Sequence, residues 1–210
     1  MDVRVIDGPL VGAHLAALRD EGSSAGVMRR HASSLGAALV AGALGDAAAE
    51  AGEVVSPMGR AAVRRFARRI TLVPILRAGL GLLDGALGVL PDDTRVGFLG
   101  MVRNEETLAP EIQMERLPAD LDDDEVVILE VMIATGGSSS AAIDVIRGAG
   151  ARSIRLCGVL AAPEGLARLD ADHPDVRVTV AAVDERLDER GFIIPGLGDS
   201  GDRLYGLPDG

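Results

Sequence analysis

From residue 71 onward, short apolar runs recur between helical patterns, and few folds accommodate that alternation. TLVPIL (71–76), RVGFLGMV (95–102), EVVILE (125–130), SIRLCGVLAA (153–162) and VRVTVAAV (176–183) each have the continuous apolar character of a strand buried on both faces. Helical segments fall between them at Gly81–Gly88, Ser138–Gly148 and Pro163–Ala171. Buried strands alternating with helices predict an α/β fold, a mainly parallel twisted sheet flanked by helices on both faces. Ligands bind such sheets at the carboxyl ends of the strands.

The first third reads differently. It is rich in Ala, Gly and Arg, with helical periodicity at Leu10–Arg19 and around Val27–Leu44. The simple stretch AALVAGALGDAAAEAG favours helix through its alanines, and the expected helix ends near Gly45. Residues 53–69 fit either a short strand followed by a basic helix or an arm reaching a partner subunit. With no internal repeat and no long linker, residues 1–210 read as a single domain. It comprises a helical N-terminal segment (1–70), a core (71–190) and a C-terminal loop or hood (191–210).

Composition removes several function classes. Net charge is −11 and Trp is absent, with four Phe and Tyr together, so a basic face with stacking aromatics for nucleic acid is not expected. All 21 basic residues are arginine, which excludes a Schiff-base lysine and a Walker-type lysine. His14, His31 and His173 are scattered and have no metal-ligand spacing. No apolar run reaches the eighteen or so residues of a membrane helix, and the opening MDVRVIDGP lacks the pattern of a secretory signal. The lone Cys157 lies in an apolar run, which suits a reduced, cytoplasmic interior.

Four segments carry the chemistry. In VVILEVMIATGGSSSAAIDVIRGAG (126–150) an apolar strand ends at Glu130. A loop, Val131–Gly137, then delivers Thr135, Gly136, Gly137 and Ser138 to a helix start. Glycines admit backbone N–H groups close to an anion, and the helix N-terminus adds partial positive charge, a phosphate cradle that needs no lysine. The plainer reading is a strand-to-helix turn capped by Ser138. In VPILRAGLGLLDGAL (73–87) a strand delivers Arg77, whose forked donors suit pyrophosphate, unless it simply pairs with Asp84. GMVRNEETLAPE (100–111) is a polar loop in which Arg103, Glu105 and Glu106 either meet a ligand or form solvated surface. GFIIPGLGDSGDRLYG (191–206) presents backbone donors and acceptors suited to a small planar ligand. Asp199 and Asp202 there face a cation or hydroxyl groups, and Phe192, Ile193 and Ile194 anchor the segment.

Taken jointly, VPILRAGLG, RNEETL, ATGGS, AAPEG, HPDV and IIPGLGDSGD resemble the uracil phosphoribosyltransferase family over roughly residues 70–206. The resemblance weakens over 1–69, although PLV–HLAALRD still looks like that family's N-terminal helix. It implies transfer of the 5-phosphoribosyl group from phosphoribosyl pyrophosphate to N1 of uracil, giving UMP and pyrophosphate. On that resemblance Arg77 and Arg103 hold the pyrophosphate. Glu130, Val131, Met132, Ile133, Ala134, Thr135, Gly136, Gly137 and Ser138 form the phosphoribosyl loop, with the acid on the ribose hydroxyls. Asp199 engages the phosphoribosyl substrate or its magnesium, and main-chain groups of Ile193, Gly198, Asp199 and Ser200 read uracil. The resemblance further implies Mg²⁺ travelling with the substrate, a homo-oligomer, and in some members activation by GTP.

The chain departs from the family's pattern in three places. Glu130-Val131-Met132 stands where the family has Asp-Pro-Met, and the extra methylene moves the carboxylate by up to ~1.5 Å. Val40-Ala41-Gly42-Ala43 replaces a polar segment containing Tyr-Glu, and Val102 and Phe192 stand where an aromatic and a tyrosine are common. Two functions of different class fit this pattern: an active transferase, slowed or shifted in its base, and a non-catalytic relative that binds phosphoribosyl pyrophosphate or UMP.

Overall fold

The computed structural model describes residues 1–103 and 110–206. In chain order the elements are β1 (Val3–Val5), α1 (Pro9–Arg19), α2 (Ala25–Ala43), β2 (Ala49–Ser56), β3 (Gly59–Phe66), β4 (Arg69–Leu76), α3 (Leu80–Leu87), β5 (Arg95–Val96) and β6 (Phe98–Arg103). They continue as β7 (Pro110–Arg116), β8 (Asp124–Ile133), α4 (Gly137–Gly148), β9 (Ser153–Ala161), α5 (Pro163–Asp172), β10 (Arg177–Val183), β11 (Arg186–Leu187), β12 (Ile193–Ile194) and α6 (Ser200–Tyr205).

The main sheet runs β1-β10-β9-β8-β4-β6-β7, with β5 also paired to β4. All its pairs are parallel except β6 with β7. Strand alternation sorts the core into two layers. Val127, Leu129 and Val131 of β8 pack with Leu35 and Leu39 of α2 and Leu82 of α3, whereas Val126 and Ile128 pack with Ile143 and Ile146 of α4 and Leu169 of α5. Covering both faces is what makes continuous apolar strands stable, because neither face is left to water. The mainly parallel, helix-flanked sheet expected from the sequence is the fold observed.

The chain leaves β4 toward β6 on one side and returns as β8 on the other, so the sheet reverses winding between β4 and β8. In open sheets of this kind such a reversal, at the carboxyl ends of the strands, is where a ligand is expected.

Several boundaries differ from the sequence-based expectation. Helix α2 stops at Ala43, two residues before Gly45, because its last carbonyls meet side chains of the sheet: Arg155 bonds the Ala43 carbonyl and Arg4 bonds that of Gly42. Arg155 itself is buried on β9, with its charge compensated by Glu125 and Asp46, each at 2.5 Å. Residues 53–69 contain no helix. β2 and β3 form an antiparallel hairpin paired from Ala49–Phe66 to Ser56–Gly59. It projects from the sheet with Val55 79% and Met58 96% exposed. β8 continues past Glu130 to Ile133, since Met132 and Ile133 still pair with Leu160 and Ala161 of β9. The region 100–111 holds β6 and the start of β7 at its two ends, and Asn104–Ala109 lie outside the described residues.

Candidate active site

The segment expected to cradle a phosphate starts from the end of β8. Because strand pairing holds Met132 and Ile133, the segment free to face a ligand is Ala134–Gly137, shorter than the expected Val131–Gly137. Val131 and Ile133 are buried in the core, Met132 and Ala134 are half-buried, and Thr135 is exposed. Gly136, not Ser138, is the N-cap of α4. It sits at φ 74°, and no side chain caps the helix. The hydroxyl of Thr135 accepts the Gly137 N–H at 3.4 Å. Beyond that bond the N-cap residue itself supplies no side-chain cap, and the helix end that follows the left-handed glycine favours an anion.

This turn is wedged from behind by α5. A Cβ on Gly165 would lie 2.4 Å from the Ala134 carbonyl oxygen, and one on Gly136 would lie 2.7 Å from the Gly165 carbonyl oxygen. Both positions therefore need glycine for close backbone approach. The AAPEG segment thus has a mechanical part that the sequence reading passed over.

Glu130 is buried on β8, and its side of the strand faces α4. Burial pushes its carboxyl up to about 8, although the Val131 N–H and the Ser139 hydroxyl favour the ionised form. The acid expected on the ribose hydroxyls is therefore a largely protonated group near neutral pH.

On the neighbouring strand, β4 hands Arg77 to the same edge of the sheet. The Arg77–Gly79 turn rests on β8, where a Cβ on Gly79 would lie 2.3 Å from the Leu129 carbonyl oxygen. Arg77 does not pair with Asp84. Its Nη2 donates to Asp202 Oδ1 at 2.8 Å and its Nη1 to the Gly206 carbonyl at 3.2 Å. The cation that Asp202 faces is therefore this guanidinium. Arg103 closes β6, and its side chain, like Glu105 and Glu106, lies outside the described residues.

The C-terminal segment is more ordered than a glycine-rich loop. Asp188 Oδ1 accepts the N–H groups of Arg190 and Phe192 at 2.9 and 2.8 Å, closing the turn between β11 and β12. Ile193 is buried, Gly198 and Asp199 are exposed, and Ser200 opens α6 with its side chain buried. Asp199 caps α6, accepting the Asp202 N–H at 3.0 Å. The half-exposed Phe192 ring carries the Arg190 guanidinium 5.6 Å from its centroid.

A cavity of about 740 Å³ lies elsewhere, lined by Glu50, Arg64, Arg65, Arg69 and Asp93 among others. Arg69 opens β4, so this cavity is at the amino end of the sheet, opposite the switch point. Among the described residues no three or more His, Cys, Asp or Glu side chains are grouped to hold a metal, and no helix is long and apolar enough to cross a membrane.

Comparison with known proteins agrees with this architecture. The family model described as uracil phosphoribosyltransferase matches residues 5–207. Relatives named uracil phosphoribosyltransferase include that of Nocardioides sp., 48% identical with 99% of each chain covered. That of Kineococcus radiotolerans is 47% identical, covering 99% of this chain and 100% of its own. The solved structure of the AQ2163 protein from Aquifex aeolicus superposes with a TM-score of 0.92 at 42% identity, over 98% of both chains. A hypoxanthine-guanine phosphoribosyltransferase from Bacillus anthracis, at 12% identity, TM-score 0.53 and coverage of 76% and 80%, shares the fold alone. The chain belongs to the uracil phosphoribosyltransferase family.

Proposed function

We propose that this chain transfers the 5-phosphoribosyl group from phosphoribosyl pyrophosphate to N1 of uracil, forming UMP and pyrophosphate in pyrimidine salvage. One observation carries the reading. Adjacent strands β4 and β8 deliver a guanidinium and a glycine-led helix start to the same end of the sheet, and Arg77 there is bonded to the C-terminal segment.

In this reading the first turn of α4, with Thr135, Gly136, Gly137 and Ser138, holds the 5′-phosphate. Arg77, bonded to Asp202, and Arg103 take the pyrophosphate, where forked donors offset the charge that builds as it leaves. Glu130 serves the ribose hydroxyls, and Val131, Met132 and Ile133 contribute through the backbone that fixes it. Main-chain groups of Ile193, Gly198, Asp199 and Ser200 read the donor and acceptor edge of uracil, which gives selectivity without a titrating side chain. Magnesium enters as part of the substrate, bound to the hard oxygens of the pyrophosphate. Asp199, exposed at the N-cap of α6, would supply a carboxylate to the phosphoribosyl substrate or its magnesium. The work of the site is positioning and electrostatics.

The burial of Glu130 favours a second reading, a relative that binds phosphoribosyl pyrophosphate or UMP without turning it over. The two separate in a UMP-formation assay with uracil, phosphoribosyl pyrophosphate and Mg²⁺, run on the wild type and Glu130→Asp. Wild-type turnover supports the transferase. Turnover only in Glu130→Asp supports the binding relative, and silence from both overturns the uracil assignment.

We further propose that this enzyme works in the cytoplasm, as one phosphoribosyltransferase domain in a homo-oligomer. The β2–β3 hairpin supports the assembly. An isolated two-stranded ribbon is marginal in water, and this one carries exposed Val54, Val55 and Met58. The expected result is that Val55→Glu with Met58→Glu lowers the mass measured by light scattering to that of one chain. An unchanged mass would remove the hairpin from the interface.

A further inference from the structure

We infer that Arg19 and Asp184 are positioning residues for the base, holding the Gly196 backbone by both its N–H and its carbonyl and so setting the main-chain edge that reads uracil. The inference rests on the reading above and names residues that reading does not use. Asp184 follows β10, and its own N–H donates to the Ala161 carbonyl of β9 at 2.9 Å, so it is anchored to the carboxyl ends of the sheet. Its Oδ2 accepts the Gly196 N–H at 2.9 Å. Arg19, at the last turn of α1, donates from Nη1 to the Gly196 carbonyl at 2.9 Å and to Asp184 Oδ2 at 2.8 Å, and from Nη2 to Asp184 Oδ1 at 2.5 Å. One buried residue in the middle of the loop thus has both its N–H and its carbonyl, which belong to the peptides on either side of it, committed to a single forked ion pair.

Gly196 transmits that position to the residues that face the base. It sits at φ 60°, and a Cβ on it would lie 2.1 Å from the Ile193 carbonyl oxygen. The Gly196 backbone therefore packs directly against the Ile193 carbonyl, with no space for a side chain between them. On the other side, Arg203 Nη1 donates to the Leu197 carbonyl at 2.7 Å and also to Leu18 at the end of α1. The Asp184 side chain is 6% exposed, and although burial alone would raise its carboxyl, the Arg19 guanidinium and the Gly196 N–H hold it below the usual range. A base read by backbone has no side chain that can reach out to compensate, so its binding depends directly on where the loop stands.

The experiment compares wild type, Asp184→Asn, Arg19→Lys and Arg19→Met by steady-state kinetics in both substrates and by amide hydrogen exchange over residues 193–200. A clamp that positions the base raises KM for uracil about tenfold or more in Asp184→Asn and Arg19→Met, with KM for phosphoribosyl pyrophosphate within about twofold. Arg19→Lys, a point charge without the fork, falls between wild type and Arg19→Met. Exchange in the 193–200 segment accelerates in the same order. Parallel rises in both KM values, or an unchanged uracil KM, would overturn the inference. If Arg19→Met does not fold, Asp184→Asn and Arg19→Lys carry the comparison. A wild type that makes no UMP sinks the proposed function instead, and exchange still decides whether the clamp holds the loop: unaltered protection in Asp184→Asn overturns it.

Discussion

Replacing Gly165 by alanine is expected to lower kcat/KM for phosphoribosyl pyrophosphate about a hundredfold, while KM for uracil changes far less and the thermal midpoint falls by only a few degrees. Gly165 touches no substrate in the proposed site. It lies in the first turn of α5, where an added methyl would stand 2.4 Å from the Ala134 carbonyl oxygen and 2.8 Å from that of Ile133. Those carbonyls belong to the turn that presents Thr135–Gly137. The neighbours are backbone, not the far end of a flexible side chain, so the cradle itself must shift by half an ångström or more. Displacement of that size spoils alignment at a phosphate held by fixed N–H groups, and rate is lost steeply with misplacement. The strain is local, which keeps the cost in stability small beside the cost in rate. Steady-state kinetics with each substrate varied, together with a thermal melt, checks both halves. An unchanged kcat/KM would mean that the turn after β8 is not where the phosphate binds.

What could be read from the sequence divides along a physical line. Strands β4, β8, β9 and β10 were legible because they are buried on both faces, so their apolar runs are continuous and short. The hairpin was not. AEAGEVVS and GRAAVRRF are exposed on both sides over most of their length, and with no core to face they show neither a clear period of two nor one of 3.6. The end of β8 was hidden for a related reason. Past Leu129 the strand leaves β4 but stays paired with β9, and only a partner strand reveals such one-sided pairing.

The placement of the candidate site residues was legible where they are local in sequence. Thr135–Ser138 and Arg77 stand where a strand meets a helix, and the structure puts both at the carboxyl edge. Contacts between distant residues carried no local signal. Asp202 is 125 positions from Arg77 and Asp184 is 165 from Arg19, and neither pairing has a spacing rule to announce it. The capping of α4 also escaped, since TGGS offers a serine in the usual place while the left-handed backbone at Gly136 makes the glycine the cap.

Glu130 should make the protein less stable as the medium becomes more alkaline, and Glu130→Gln should abolish that loss. Its carboxyl stands at about 8 in the folded chain against an ordinary 4.5. Between those two values the folded state holds a proton that the unfolded state has released, so stability declines as pH rises through the window. Below 4.5 both states are protonated and the group contributes nothing; above about 8 the loss is complete, on the order of 5 kcal/mol. Glutamine mimics the neutral acid in size and polarity, so urea unfolding from pH 5 to 9 should show the variant gaining on the wild type steadily and levelling off near 8. Parallel curves would show that Glu130 is already ionised in the folded protein. The same titration bears on catalysis. If the ribose hydroxyls are gripped by the ionised acid, kcat/KM for phosphoribosyl pyrophosphate climbs about tenfold between pH 7 and the plateau above 8. Glu130→Gln then stays low and flat across the range. The longer acid at this position, set into β8 and turned toward Ser139, thus links the departure from the family's Asp-Pro pattern to a measurable proton.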